Sequence, residues 1–190
     1  MRIALSVFFL LLAAPTAFPQ APDLREKGLD EIARVAGVMV DGDVCQRIVT
    51  PRTLRFIFHE DPRDKWLAGD NYDVDHRVFT ETKKTLRRLS LLASFPCDVN
   101  LWMPLEGQPG KIHIVVRNVN EWSQFWPWGA LYQQMSPQMK VVLETGRRIT
   151  VKEKPGWISV LAPVFNSLGD IAGLVEAVTN TTLDGHENVK

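Results

Sequence analysis

Residues 156–178 read G-W-I-S-V-L-A-P-V-F-N-S-L-G-D-I-A-G-L-V-E-A-V. Two apolar runs flank Asn166-Ser167-Leu168-Gly169-Asp170, five residues that suit a tight reversal, so the segment is expected to form a β-hairpin. By alternation, Trp157 and Ser159 share one face of its first arm.

Upstream of the hairpin the pattern is punctuated. Ser136-Pro137 is a helix start with Pro in the first turn, and Gly146 is the matching stop. Before it lies the densest aromatic cluster of the chain, Trp122, Phe125, Trp126, Trp128 and Tyr132, interrupted by Pro127 and Gly129. Indoles need cover, so these rings either plug the core or line a concave site for a small organic ligand.

Further upstream, Val99, Leu101 and Met103 alternate with Asp98, Asn100 and Trp102, and residues 106–110 turn the chain into a second strand over residues 111–119. This predicts another hairpin. In its second arm Ile112, Ile114 and Val116 are expected on one face, and His113, Val115, Arg117 and Val119 on the other. His113 and Arg117 are therefore candidates for contacts to an anion or carboxylate, or else an exposed His and an edge Arg.

Two amphipathic helices precede the strands. The first covers residues 24–40, with Leu24, Gly28, Ile32, Val35, Ala36 and Met39 as its expected apolar face; the second covers residues 76–93, with Phe79, Thr82, Leu86, Leu89 and Leu92 inward and Asp75 as N-cap. Asp41-Gly42-Asp43 breaks the first helix. Residues 60–75 form a polar insertion whose Asp70, Asn71, Asp73 and Asp75 lack the glycine and distal glutamate of an EF-hand loop.

The N-terminus fixes the expected compartment. Met1-Arg2 is followed by an apolar run over residues 3–14 and small residues up to position 21, the pattern of a secretory signal peptide. Charge is balanced, with Lys plus Arg 22 against Asp plus Glu 22, which favours neither nucleic acid nor an anionic membrane as partner. The two cysteines, Cys45 and Cys97, are expected to pair as a disulfide in an oxidising compartment, the alternative being two buried thiols. No nucleophile elbow, H-E-x-x-H pair or phosphate-binding loop occurs, so an enzyme is not expected, and neither a cofactor nor a metal is implied.

Taken in order, these pieces resemble the Cache domains, PAS-like extracellular sensor modules of bacteria. Trp157-Ile158-Ser159-Val160-Leu161-Ala162-Pro163-Val164, the Gly169-Asp170 turn and Ile171-Ala172-Gly173-Leu174-Val175-Glu176 resemble the last two strands of that family. Gly129-Ala130-Leu131-Tyr132, Ser136-Pro137-Gln138-Met139 and Leu143-Glu144-Thr145-Gly146 resemble the family's Gly-x-x-Tyr, Pro-x-Met and Leu-x-x-Gly series, and Val40-Asp41-Gly42-Asp43 resembles its exit from the long N-terminal helix. The resemblance spans residues 24–178. It departs from the family at Arg117-Asn118-Val119-Asn120, where an Asp often ends the strand, and the amino-acid-binding signature Asp-x-x-Arg-x-x-Tyr is not legible.

What the resemblance implies is an α+β fold of single-Cache type, a PAS-like antiparallel sheet of about five strands with a long N-terminal helix and helices packed on the sheet. The domain would cover residues 22–180, between a signal peptide over residues 1–21 and a disordered polar tail over residues 181–190. It also implies a periplasmic or secreted sensor that binds a small organic ligand, with contacts from Trp102, Arg117, Trp126, Tyr132, Trp157 and Ser159. The sequence read contains no transmitter, so signalling would pass through a separate, membrane-bound partner protein, and the N-terminal helix could pair two copies. The alternative is an accessory periplasmic protein that binds a partner protein through a Trp-rich surface.

Overall fold

The computed structural model describes residues 23–58, 75–127 and 130–183. The expected signal peptide, most of the polar insertion, Trp128, Gly129 and the tail beyond residue 183 lie outside the described residues. Helix α1 (Leu24–Met39) leads into the short α2 (Gly42–Cys45), α3 (Pro51–Phe58) and α4 (His76–Ser90). There follow β1 (Asp98–Pro104), β2 (Lys111–Val116), the two-residue β3 (Gln133–Gln134), α5 (Pro137–Thr145), β4 (Ile149–Val151), β5 (Trp157–Phe165) and β6 (Ile171–Asn180).

All strands join one six-stranded sheet in the order β3-β2-β1-β6-β5-β4, and every pair is antiparallel. The architecture is α+β. The hairpin read from residues 156–178 forms β5 and β6, with Asn166 organising its turn: its Oδ1 accepts from Leu168 N at 3.0 Å and Asp170 N at 2.8 Å, and Gly169 takes φ +85. β6 runs two residues further than expected, and a 3-10 turn (Thr181–Leu183) follows, tied to the start of β5 by Thr181 N donating to Gly156 O at 2.7 Å. The order within the expected tail comes from this contact, which no local pattern announces.

Each sheet face is covered. Val99, Leu101, Met103, Val160, Ala162, Val164, Val175 and Ala177 pack under α1, α2 and α4, whereas Trp102, Ile112, Ile114, Leu161 and Leu174 pack with Met139 and Val142 of α5. The central strands β1 and β6 are buried on both sides, so their alternation of polar and apolar residues does not mark a solvent face.

The helix predictions need one revision of face. α1 buries Leu29, Ile32, Ala33 and Ala36, and Leu24 is 82% and Met39 60% exposed, because the stripe that meets β5 and β6 is shifted along the helix from the one expected. α4 is capped by Asp75, whose Oδ1 accepts from Arg77 N and Val78 N, both at 3.1 Å, and it ends before Leu92, which is exposed. The Asp-Gly-Asp break is a second capping device. Asp41 Oδ1 accepts from Val44 N at 3.2 Å to start α2, and Asp43 Oδ2 accepts from Ser167 N at 2.7 Å to hold the β5–β6 turn. Gly42 sits where a Cβ would meet Phe165 O at 2.6 Å, so α2 docks on the hairpin backbone only with glycine there.

The disulfide is not formed. Cys45 and Cys97 are free thiols in the core under α1, burial pushes each up to about 12, and Cys97 Sγ–H donates to Ser90 O at 3.3 Å. Both side chains serve as small apolar fillers.

Candidate functional site

Three polar side chains on the α5 face of the sheet organise the aromatic segment above it. Asp98 and Asn100 project from β1, and Glu176 stands directly opposite Asn100 on β6. Asp98 Oδ1 accepts from Asn120 Nδ2 at 3.0 Å and Oδ2 from Trp122 N at 3.0 Å. Asn100 Oδ1 accepts from Asn118 N at 3.0 Å, and its Nδ2 donates to Trp122 O at 2.6 Å. Residues 118–124 are thereby fastened to the sheet through their own backbone, which explains how Glu121 can hold φ 56, a left-handed value uncommon for a residue with a Cβ.

Glu176 is the centre of this layer. Its carboxylate is fully buried and accepts four hydrogen bonds: Trp102 Nε1 at 3.1 Å, Ser123 Oγ at 2.6 Å, Gln124 N at 3.0 Å and Ser159 Oγ at 2.9 Å. Two donors come from the sheet and two from the loop. Burial pushes the Glu176 carboxyl above its ordinary value while these four bonds pull the other way, and Asp98 is likewise raised by burial. Ser123 Oγ also accepts from Phe125 N and Trp126 N, both at 3.1 Å, and Gln124 bridges to Val151 O, Glu153 N and Lys154 N.

Around this buried centre runs a rim of aromatic and cationic groups. The Arg117 guanidinium lies 4.1 Å from the centre of the Trp126 ring and 3.3 Å from Glu121, and Trp126 Nε1 donates to Ala130 O at 3.1 Å. Trp122 meets Trp157 edge to face at 6.4 Å, and Lys111 lies 4.7 Å over Tyr132.

Of the six residues expected to contact a ligand, the structure brings Trp102 and Ser159 together on Glu176. Arg117 and Trp126 form the stacked pair of the rim. Tyr132 and Trp157 stand apart from both groups, on Lys111 and Trp122 respectively. Trp102 is only 1% exposed, so its indole supports the layer from below. His113 and Arg117 do not share a face. Leu101 opposes Val116 while Trp102 opposes Ile114, so Val115 is an extra residue in β2 and the alternation resets after it. Arg117 consequently stacks on Trp126, and His113 lines the opposite side with Met103 and Ala172.

Two of the clefts bounded by described residues lie away from these groups, and neither includes any of the six. One lies between α1 and the α5–β4 connection, and the other lies at the corner of the sheet beneath α2 and α3. Glu176, Asp98, Asn100 and Ser123 were not among the expected site residues. Glu176 does leave a trace in the sequence, as the single charge within the apolar run of β6, whereas its four donors come from three separate segments of the chain. The chain matches no family model and no curated protein with which it was compared.

Proposed function

We propose that this protein is an extracytoplasmic, small-molecule-binding sensor domain of the Cache type, periplasmic or secreted, that reports through a separate membrane-bound partner. The observation that carries the reading is the sealed layer of polar and aromatic groups between the sheet and residues 118–126, on the face opposite α1. In support stand the long N-terminal helix laid on the sheet and the antiparallel hairpins, both of which the Cache resemblance leads one to expect.

Glu176 gives the layer two positions. A ligand bearing its own donors, such as an amine or a polyol, can replace Ser123 Oγ and Gln124 N without leaving the carboxylate unpaired. The loop then gives up its anchor, and occupancy becomes a change of shape. Arg117 beside the Trp126 ring offers a cation and a flat apolar face to an organic acid portion of the same ligand. Pairing of two copies would use Leu24, Val38 and Met39, which α1 leaves exposed.

A protein-docking role for the indoles expects them open on a convex surface. Trp102 is buried and Trp122, Trp126 and Trp157 are half-buried, which favours the small-molecule reading. A thermal-shift screen of amines, amino acids, polyols and small organic acids tests it. A ligand at 100 times its Kd stabilises by about 2.7 kcal/mol, and the stabilisation should vanish in Trp126→Ala. Absence of any hit across the four classes would sink the proposal.

A further inference from the structure

The corner cleft has a volume of about 460 Å³ and lies on the sheet face away from Glu176. His113, Met103 and Ala172 are buried at its floor; Val49, Leu54, Pro104 and Ile171 wall it; Gln46 and Glu106 stand exposed at its mouth. His113 faces Met103 directly across the β1–β2 pair. The residue is 5% exposed, and its ring makes no hydrogen bond to any described residue. Neither ring nitrogen is both sealed and unpartnered, so the donor and the acceptor of the imidazole are open to the cleft, to be paired by water or by a molecule that enters it.

We propose that this cleft is a second small-molecule site, taking an uncharged molecule with a compact apolar body and one hydroxyl head that hydrogen-bonds His113. The walls set the body, since four of the residues above the floor are apolar. The imidazole sets the head. Burial holds its pKa down to about 4, so near neutral pH it carries one donor and one acceptor, the same pair that a hydroxyl presents. Charge excludes the other obvious heads. Among the described lining residues Glu106 is the one charged side chain and it is negative, so a carboxylate or phosphate finds no cation among them, and an ammonium at the floor would face apolar groups and a neutral ring.

The site is independent of the Glu176 layer, and its test separates the two. The full chain, isotope-labelled, is titrated with 4-ethylphenol, 4-ethylanisole and 4-ethylbenzoate while the His113 ring and Trp102 indole N–H signals are followed by NMR. The expected result is saturable movement of the His113 signals by the phenol, about tenfold weaker binding of the anisole, weaker binding still of the benzoate, and an unmoved Trp102 signal. Leu54→Trp fills the cleft from its half-buried wall without replacing His113, and it should abolish the effect. His113 signals that stay still at millimolar phenol, as for an imidazole paired by water alone, overturn the proposal. So does equal binding of phenol and anisole, which describes an apolar crevice, or movement of Trp102 in place of His113, which assigns the probe to the other face.

Discussion

A carboxylate at zero exposure is stable only if its lone pairs are answered, and in Glu176 four donors answer them. Glu176→Leu keeps the bulk and removes the acceptor, leaving the Trp102 indole N–H, the Gln124 N–H and two hydroxyls without it. The loss is expected to exceed about 3 kcal/mol, because each stranded buried group costs about 1–3 kcal/mol. Glu176→Gln keeps one acceptor oxygen and should lose less. Urea denaturation at pH 7 of both variants checks this, and equal losses would mean that side-chain shape, not hydrogen bonding, is what the position needs. The special character of Glu176 was visible in the sequence as a lone charge in an apolar strand. Its partners were not, because Trp102, Ser123 and Ser159 reach it across separations of 74, 53 and 17 residues.

The β1–β2 pair shows where periodicity stops being a guide for an element. Both arms were legible from alternation and from the turn between them. One extra residue at Val115 nevertheless reverses every later side chain, and a bulge is set by how the strand packs, not by its own residue order. β6 carries a second constraint of this kind at Gly173, where an added Cβ would lie 2.5 Å from Trp102 O and 2.7 Å from Met103 Sδ. The backbone oxygen belongs to the neighbouring central strand and cannot give way. Gly173→Ala is therefore expected to destabilise by about 2 kcal/mol, within the ordinary range for overpacking, and to lower Tm by several degrees in a circular dichroism melt. An unchanged Tm would show that β1 and β6 can separate locally at this point.

For the whole molecule, His113 on one sheet face and Glu176 with Asp98 on the other act in opposite senses with pH. His113 has its pKa lowered from 6.5 to about 4, so the unfolded chain binds its proton more readily than the folded one. Its contribution is complete above pH 6.5 and is lost as pH falls toward 4, by about 3 kcal/mol in all. Glu176 and Asp98 are raised, so they stabilise the fold most at low pH and lose that contribution as pH rises through their folded values. The difference between the wild-type chain and His113→Gln isolates the histidine: between pH 6.5 and 4 the wild type should lose stability more steeply. Parallel curves would mean that the ring is hydrated when folded.

The sequence alone determined the two long helices before the sheet, the caps at Asp75 and Ser136 and both hairpins, because propensity, capping and alternation act over a few residues; the α+β class came from the family resemblance. Tertiary structure decided which stripe of α1 is buried, that Cys45 and Cys97 remain thiols, that His113 and Arg117 part company, and that Glu176 joins the aromatic segment to the sheet. Each of these depends on groups far apart in the chain arriving at one place, where close packing and the need to pair every buried polar atom choose among arrangements that local sequence leaves equal.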